Sequence, residues 1–149
     1  MGRQVAAAVL AEPGMVPVAY LDGLASPGAI DGISLHCDAS ACFAELKPDA
    51  VIDFTNAEWT PRLAAAALEH GVRLVIGTTG LGPDFMAWLE REAAARRTGA
   101  VVAANFAIGA VLMMHFARQA SRFFDFAEII ELHHDQKVDS PSGTAKTTA

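Results

Sequence analysis

The fifteen residues from Glu131 to Ala145, ELHHDQKVDSPSGTA, gather two adjacent histidines, a lysine, aspartates and a Ser-Gly-Thr turn. A histidine titrates near neutrality and can give or take a proton, and Lys137, four residues beyond His133, adds a fixed positive charge or a second proton. The turn Pro141-Ser142-Gly143-Thr144 reads as the start of a helix, with Ser142 or Thr144 available as N-cap. Free backbone N–H groups and a hydroxyl would then face an anion. An acid, a cation and an anion-binding turn at close range suit a carboxylate or phosphate substrate. A histidine pair followed by charges is more often an ordinary wet loop, but here the lysine and the Gly-Thr helix start count against that reading.

Such groups need a scaffold. The apolar run Ala127 to Leu132 reads as a strand, which places His133 and His134 at its end, where α/β proteins put their chemistry. Upstream, strands alternate with helices. Gly2 to Glu12 reads as a helix ended by Pro13-Gly14, and Val16 to Leu21 as a strand that stops at Asp22. Leu24 to Asp38 reads as irregular, Ser40 to Leu46 as a short helix, and Ala50 to Phe54 as a buried strand. Glu58 to His70 follows as a helix, Val72 to Ile76 as a strand, Pro83 to Arg97 as a helix and Ala100 to Ala104 as a strand. Repetition of this unit predicts an α/β fold with a doubly wound parallel sheet. From Asn105 the rhythm changes to a long amphipathic helix, Ile108 to Ser121. A boundary is placed there, dividing residues 1–104, a dinucleotide-binding domain, from residues 105–149, the start of a second domain.

Composition narrows the function. With 149 residues, 52% hydrophobic side chains and a net charge of -6, the chain suits globular packing and not disorder. A pI near 5.2 without a Lys/Arg cluster argues against a nucleic-acid surface, so a small molecule is the expected partner. No apolar stretch approaches the roughly 20 residues that span a bilayer, and no signal-peptide order opens the chain. A cytoplasmic protein without a membrane partner is expected. Cys37 and Cys42 read as a reduced pair and no metal site is expected. His36, His70 and His115 read as structural, His115 as packed within its helix.

Three loop motifs follow the strands: VIDFTN at Val51 to Asn56, VIGTTG at Val75 to Gly80, and AANFAIGAVLMMHFA at Ala103 to Ala117. Glycines after a strand permit close backbone approach to a ligand, although such loops are often plain turns. Asp22 ends an earlier strand. An acid there accepts hydrogen bonds from ribose hydroxyls and opposes a 2′-phosphate; an Asp-Gly turn is the competing reading.

Together with HHxxKxDxPSGTA, these ordered motifs resemble the dihydrodipicolinate reductase (4-hydroxy-tetrahydrodipicolinate reductase) family, with most similarity to its actinobacterial branch. The resemblance covers essentially the whole chain. It implies a Rossmann-type domain followed by an α+β substrate domain, and NADH- or NADPH-dependent reduction of 4-hydroxy-tetrahydrodipicolinate in the diaminopimelate route to lysine. It assigns the proton donor to His133, a catalytic cation to Lys137, and contacts with a small diacid substrate to His134, Gly143 and Thr144. Cofactor contacts fall on Met1, Asp22, Phe54, Thr55, Gly77, Thr78, Thr79, Ala103, Ala104, Asn105 and Phe106. Gly23 stands where members favouring the phosphorylated cofactor often carry a basic residue, so the resemblance leans towards NADH or dual use. Full-length members are implied to be homotetramers.

Met1-Gly2-Arg3 resembles the tail of the family's GxxGRMGR loop, so the first strand of the Rossmann sheet is expected to be absent. In the order 3-2-1-4-5-6 that strand is central. The helix after Ser142 is expected to open a longer substrate domain. Truncation at both ends leads to an expectation of little activity and poor solubility for these residues alone. The alternatives are a non-catalytic fragment or assembly partner that keeps the sheet, or another two-domain dehydrogenase acting on an amino or keto diacid.

Overall fold

A computed structural model describes residues 1–133, 135 and 140–149. The described residues form two compact units, Met1–Val102 and Ala103–Ala149.

The first unit has the expected alternation. Helix α1 spans Gly2–Ala11 and strand β1 Ala19–Leu21. The stretch expected to be irregular instead holds two strands, β2 (Gly28–Ile30) and β3 (Ile33–His36), paired antiparallel with Ile30 opposite Ile33. The reason is local: Asp31 and Gly32 between them have φ of 51° and 80°, the two left-handed residues of a tight primed hairpin turn, for which Asp-Gly is a favoured pair. Strand β3 then pairs parallel with β1.

Helix α2 (Ala39–Leu46) starts where the Asp38 carboxylate accepts from Ala41 N at 3.0 Å. Strand β4 (Ala50–Asp53), helix α3 (Thr60–Glu69), strand β5 (Arg73–Ile76), helix α4 (Pro83–Arg96) and strand β6 (Ala100–Val102) complete the unit. The sheets run β1-β3-β2 and β4-β5-β6, the second all parallel. Among the described residues β1 pairs with β3 and β4 with β5, each along one side. The fold is thus α/β and Rossmann-type.

The core lies on the β4-β5-β6 sheet. Leu63, Ala64, Ala67 and Leu68 form one buried face of α3, packed with Leu74 and Ile76 of β5, Cys42 and Phe43 of α2, and Leu89 and Ala93 of α4. Alanines at 64 and 67 let helix and sheet approach closely. Burial, with the Glu45 charge nearby, pushes the Cys42 thiol up, so it stays protonated as a small apolar side chain. Leu74→Ala is expected to cost about 2 to 5 kcal/mol, read as a lower urea midpoint with the slope unchanged.

The second unit contains α5 (Ile108–Ala120), a 3-10 turn (Ser121–Phe123) and α6 (Gly143–Thr148). The strand expected over Ala127 to Leu132 is not formed: among the described residues this stretch joins no strand ladder, and a strand needs one to satisfy its backbone. Helix α5 buries none of its residues, so Ile108 (77% exposed) and Phe116 face outward and His115 is exposed instead of packed. Among the described residues no helix is long and apolar enough to cross a membrane, and no cluster of His, Cys, Asp or Glu is placed to hold a metal.

Candidate active site

In the first unit, β4 and β5 run parallel with Asp53 opposite Ile76, so the loops after them leave from the same end of the sheet. The Phe54-Thr55 loop and the Gly77-Thr78-Thr79 loop are therefore neighbours. Gly77 N donates to Asp53 O at 2.8 Å, and the Phe54 ring lies so close over Gly77 that a Cβ there would overlap it. Here glycine is required by close approach, not by backbone conformation.

The hydroxyls of this cluster are used internally. Thr55 Oγ1 donates to Asp53 Oδ1 at 2.6 Å and Thr78 Oγ1 donates to Asp53 Oδ2 at 3.1 Å, while Thr78 Oγ1 accepts from Thr55 N at 3.0 Å. The family resemblance implies cofactor contacts for Thr55 and Thr78, and both of their hydroxyls turn towards Asp53. What the loop offers outward is its backbone and the exposed Thr79. Asp53 itself went unremarked at sequence level. Its signal was an acid at the end of an otherwise apolar strand, where an unpaired charge would be costly to bury.

Asp22 follows β1. Its backbone N donates to His36 O at 3.0 Å and its carboxylate accepts from Leu24 N at 2.9 Å, so the Asp-Gly turn exists and positions the acid. Beneath it, a Cβ on Gly23 would come within 2.5 Å of Trp59 Cζ3. Trp59 thereby links the end of β1 to the start of α3, where Asn56 Oδ1 accepts from Trp59 N at 2.9 Å. Asp22, Phe54, Thr55, Gly77, Thr78 and Thr79 thus belong to connected loops at strand ends. Such loops could hold a nucleotide: a carboxylate for hydroxyls, and a glycine where the main chain must come close. Met1 is elsewhere in its bonding. It is 71% exposed and its carbonyl accepts from Gln4 N and Val5 N at the start of α1, with no hydrogen bond to these loops among the described residues.

In the second unit the histidine-containing loop is partly described. Lys137 and His134 lie outside the described residues. His133 Nδ1 stands 3.9 Å from Glu131 Oε2, and Glu131 Oε1 accepts from Ser142 N at 2.9 Å. Glu131 therefore links the histidine to the Ser-Gly-Thr turn, a role the sequence reading missed although the acid sits two residues before His133. Ser142 is the N-cap of α6, its hydroxyl accepting from Ala145 N at 3.0 Å, which decides between Ser142 and Thr144. Thr144 Oγ1 instead accepts from Asn105 Nδ2 at 3.1 Å, and Asn105 Oδ1 accepts from Ala107 N at 2.8 Å. A predicted substrate residue and a predicted cofactor residue thus touch. Gly143 opens the helix, while Ala103, Ala104 and Phe106 lie in the segment before α5.

Chemically, the first cluster can hold a nucleotide by carboxylate and backbone. The second can present an imidazole beside a carboxylate, next to a capped helix start.

Comparison with known proteins gives concordant matches. Residues 1–106 match the family model described as dihydrodipicolinate reductase, N-terminus, and residues 109–149 match its C-terminal counterpart. A 4-hydroxy-tetrahydrodipicolinate reductase of Geobacillus kaustophilus is 53% identical over 125 residues, covering 80% of this chain and 47% of the relative. One from Dehalococcoides mccartyi is 42% identical, covering 100% of this chain and 59% of the relative. A solved dipicolinate-bound dihydrodipicolinate reductase from Paenisporosarcina sp. TG-14 superposes with a TM-score of 0.81 at 36% identity, over 99% of this chain and 59% of that one. The chain spans about half to three-fifths of the length of these relatives.

Proposed function

The chain belongs to the dihydrodipicolinate reductase family, and from that premise we propose that it carries the nucleotide site and catalytic loop of an NADH- or NADPH-dependent 4-hydroxy-tetrahydrodipicolinate reductase of lysine biosynthesis. The reaction replaces the C4 hydroxyl of the ring substrate, which leaves as water, giving tetrahydrodipicolinate. A bound nicotinamide supplies the hydride.

The residues of this chain supply the rest. Asp22 accepts from the adenosine ribose hydroxyls, and the Gly77-Thr78-Thr79 backbone lines the nicotinamide side. His133 gives the proton required at the reacting centre, Lys137 stabilises negative charge, and His134, Gly143 and Thr144 hold the diacid. A soluble cytoplasmic setting and a homotetrameric complete protein accompany this reading, with residues 1–104 as cofactor domain and 105–149 as the start of the substrate domain.

The observation that carries the reading is Glu131, which stands 3.9 Å from His133 and accepts from Ser142 N. It supports one device in which a proton-donating imidazole is held beside a turn suited to a carboxylate. The test is substrate-dependent NADH oxidation together with NADH titration by fluorescence. Binding of NADH supports the nucleotide assignment, and absence of binding overturns it.

Cofactor choice is read separately. Asp22→Ser is expected to weaken NADH about three- to tenfold while strengthening NADPH, because a ribose acceptor and a repulsive charge are removed together. Equal changes for both nucleotides would remove Asp22 from the discrimination.

A further inference from the structure

We infer that Asp53 is a positioning residue of the nucleotide site, a buried carboxylate that sets the two cofactor-facing loops without touching the cofactor. The inference rests on the nucleotide reading above and deepens it.

Asp53 ends β4 and is 1% exposed. An ionised carboxylate is acceptor-only, with about four lone-pair directions, and burying it is costly unless they are filled. Here four donors fill them. Oδ1 accepts from Thr55 N at 3.0 Å and Thr55 Oγ1 at 2.6 Å, and Oδ2 accepts from Thr60 Oγ1 at 2.5 Å and Thr78 Oγ1 at 3.1 Å. The donors come from three places: the loop after β4, the first residue of α3, and the loop after β5. One side chain therefore joins both loops to the helix that packs on the sheet.

The main chain adds to this grip, since Asp53 O accepts from Gly77 N. The Gly77-Thr78 loop is thus held from its backbone and its side chain by the same residue. Because the Thr78 hydroxyl has one proton and gives it to Asp53, its oxygen is oriented to accept from Thr55 N. The arrangement is directional: a carboxylate accepts all four bonds, whereas an amide would oppose donor to donor at one oxygen. A purely apolar side chain could fill the space but would fix neither threonine.

The test compares Asp53→Asn, Thr78→Val and the double variant in the same chain. NADH affinity is read by fluorescence titration, and folding by far-UV circular dichroism and thermal midpoint. Asp53→Asn is expected to weaken NADH about 10- to 100-fold with the circular dichroism retained. Thr78→Val is expected to weaken it comparably, and the double variant by much less than the product of the two. Thr78→Ser, which returns the hydroxyl, should recover most of what valine loses. A core variant away from the loops, Leu68→Ala, serves as the control that lowers the thermal midpoint without changing NADH affinity.

An Asp53→Asn chain that melts lower yet binds NADH like wild type overturns the inference, leaving Asp53 merely structural. Multiplicative effects of Asp53→Asn and Thr78→Val overturn the route through Thr78. Should Asp53→Asn fail to fold, the Thr78 pair decides: valine and serine binding alike overturns the inference, and serine recovering supports it. A wild-type chain that does not bind NADH overturns the nucleotide reading and this inference with it. That outcome is distinct, because failure of the Asp53 inference alone leaves wild-type binding intact.

Discussion

Replacing His133 with alanine is expected to lower turnover by about 10²- to 10⁴-fold, the usual contribution of a positioned general acid, while NADH affinity stays near wild type. The expectation follows from placement. The side chain is 40% exposed and makes no core contact that its loss would empty, so the variant should fold as the wild type does. What disappears is the imidazole proposed as the proton source, and Glu131 remains on Ser142 N without it. Substrate-dependent NADH oxidation and a fluorescence titration on the same preparation separate the two readouts. Weakened NADH binding with unaltered turnover would remove His133 from the acid role.

The second large effect belongs to the other unit. Gly77→Val places a branched side chain where the Phe54 ring already lies, and overpacking of this kind costs about 1 to 3 kcal/mol. Both residues flank the Asp53 network, so relief by moving Phe54 would also disturb Thr55. The thermal midpoint should fall by roughly 4 to 20 °C and NADH affinity by about tenfold or more. Gly99→Ala is the matched comparison, since nothing lies within 4 Å of a Cβ there. A Gly77→Val chain that melts and binds like Gly99→Ala would show that Phe54 yields freely.

How much of this could be read from the residues depends on range. Elements with a strong local pattern, such as α3 with its alanine-rich face, were legible within two residues of their ends. The hairpin at Asp31-Gly32 was local too, but the Asp-Gly turn signal was passed over amid neighbouring glycines and prolines. The run from Ala127 to Leu132 shows the opposite limit. Its apolar composition suits a strand, yet a strand exists only with a partner, and composition does not supply one.

The candidate site divides along the same line. His133 and the Ser142 cap were visible because their chemistry is contained in one short segment. Asp53 and Glu131 were not, because each acts through residues up to 25 positions away, from Asp53 to Thr78 in the first case. Thr78 is subtler: residue type alone does not show that its hydroxyl is bonded within the protein, to Asp53.

The close approach of Gly23 to Trp59 bears on how this protein can change over generations. A side chain at position 23 has no room unless the indole at 59 moves or becomes smaller, so the order of substitution is constrained. Shrinking Trp59 first opens a path; enlarging Gly23 first meets a collision. The two positions thus behave as one inherited character, expected to change in paired steps, not one residue at a time.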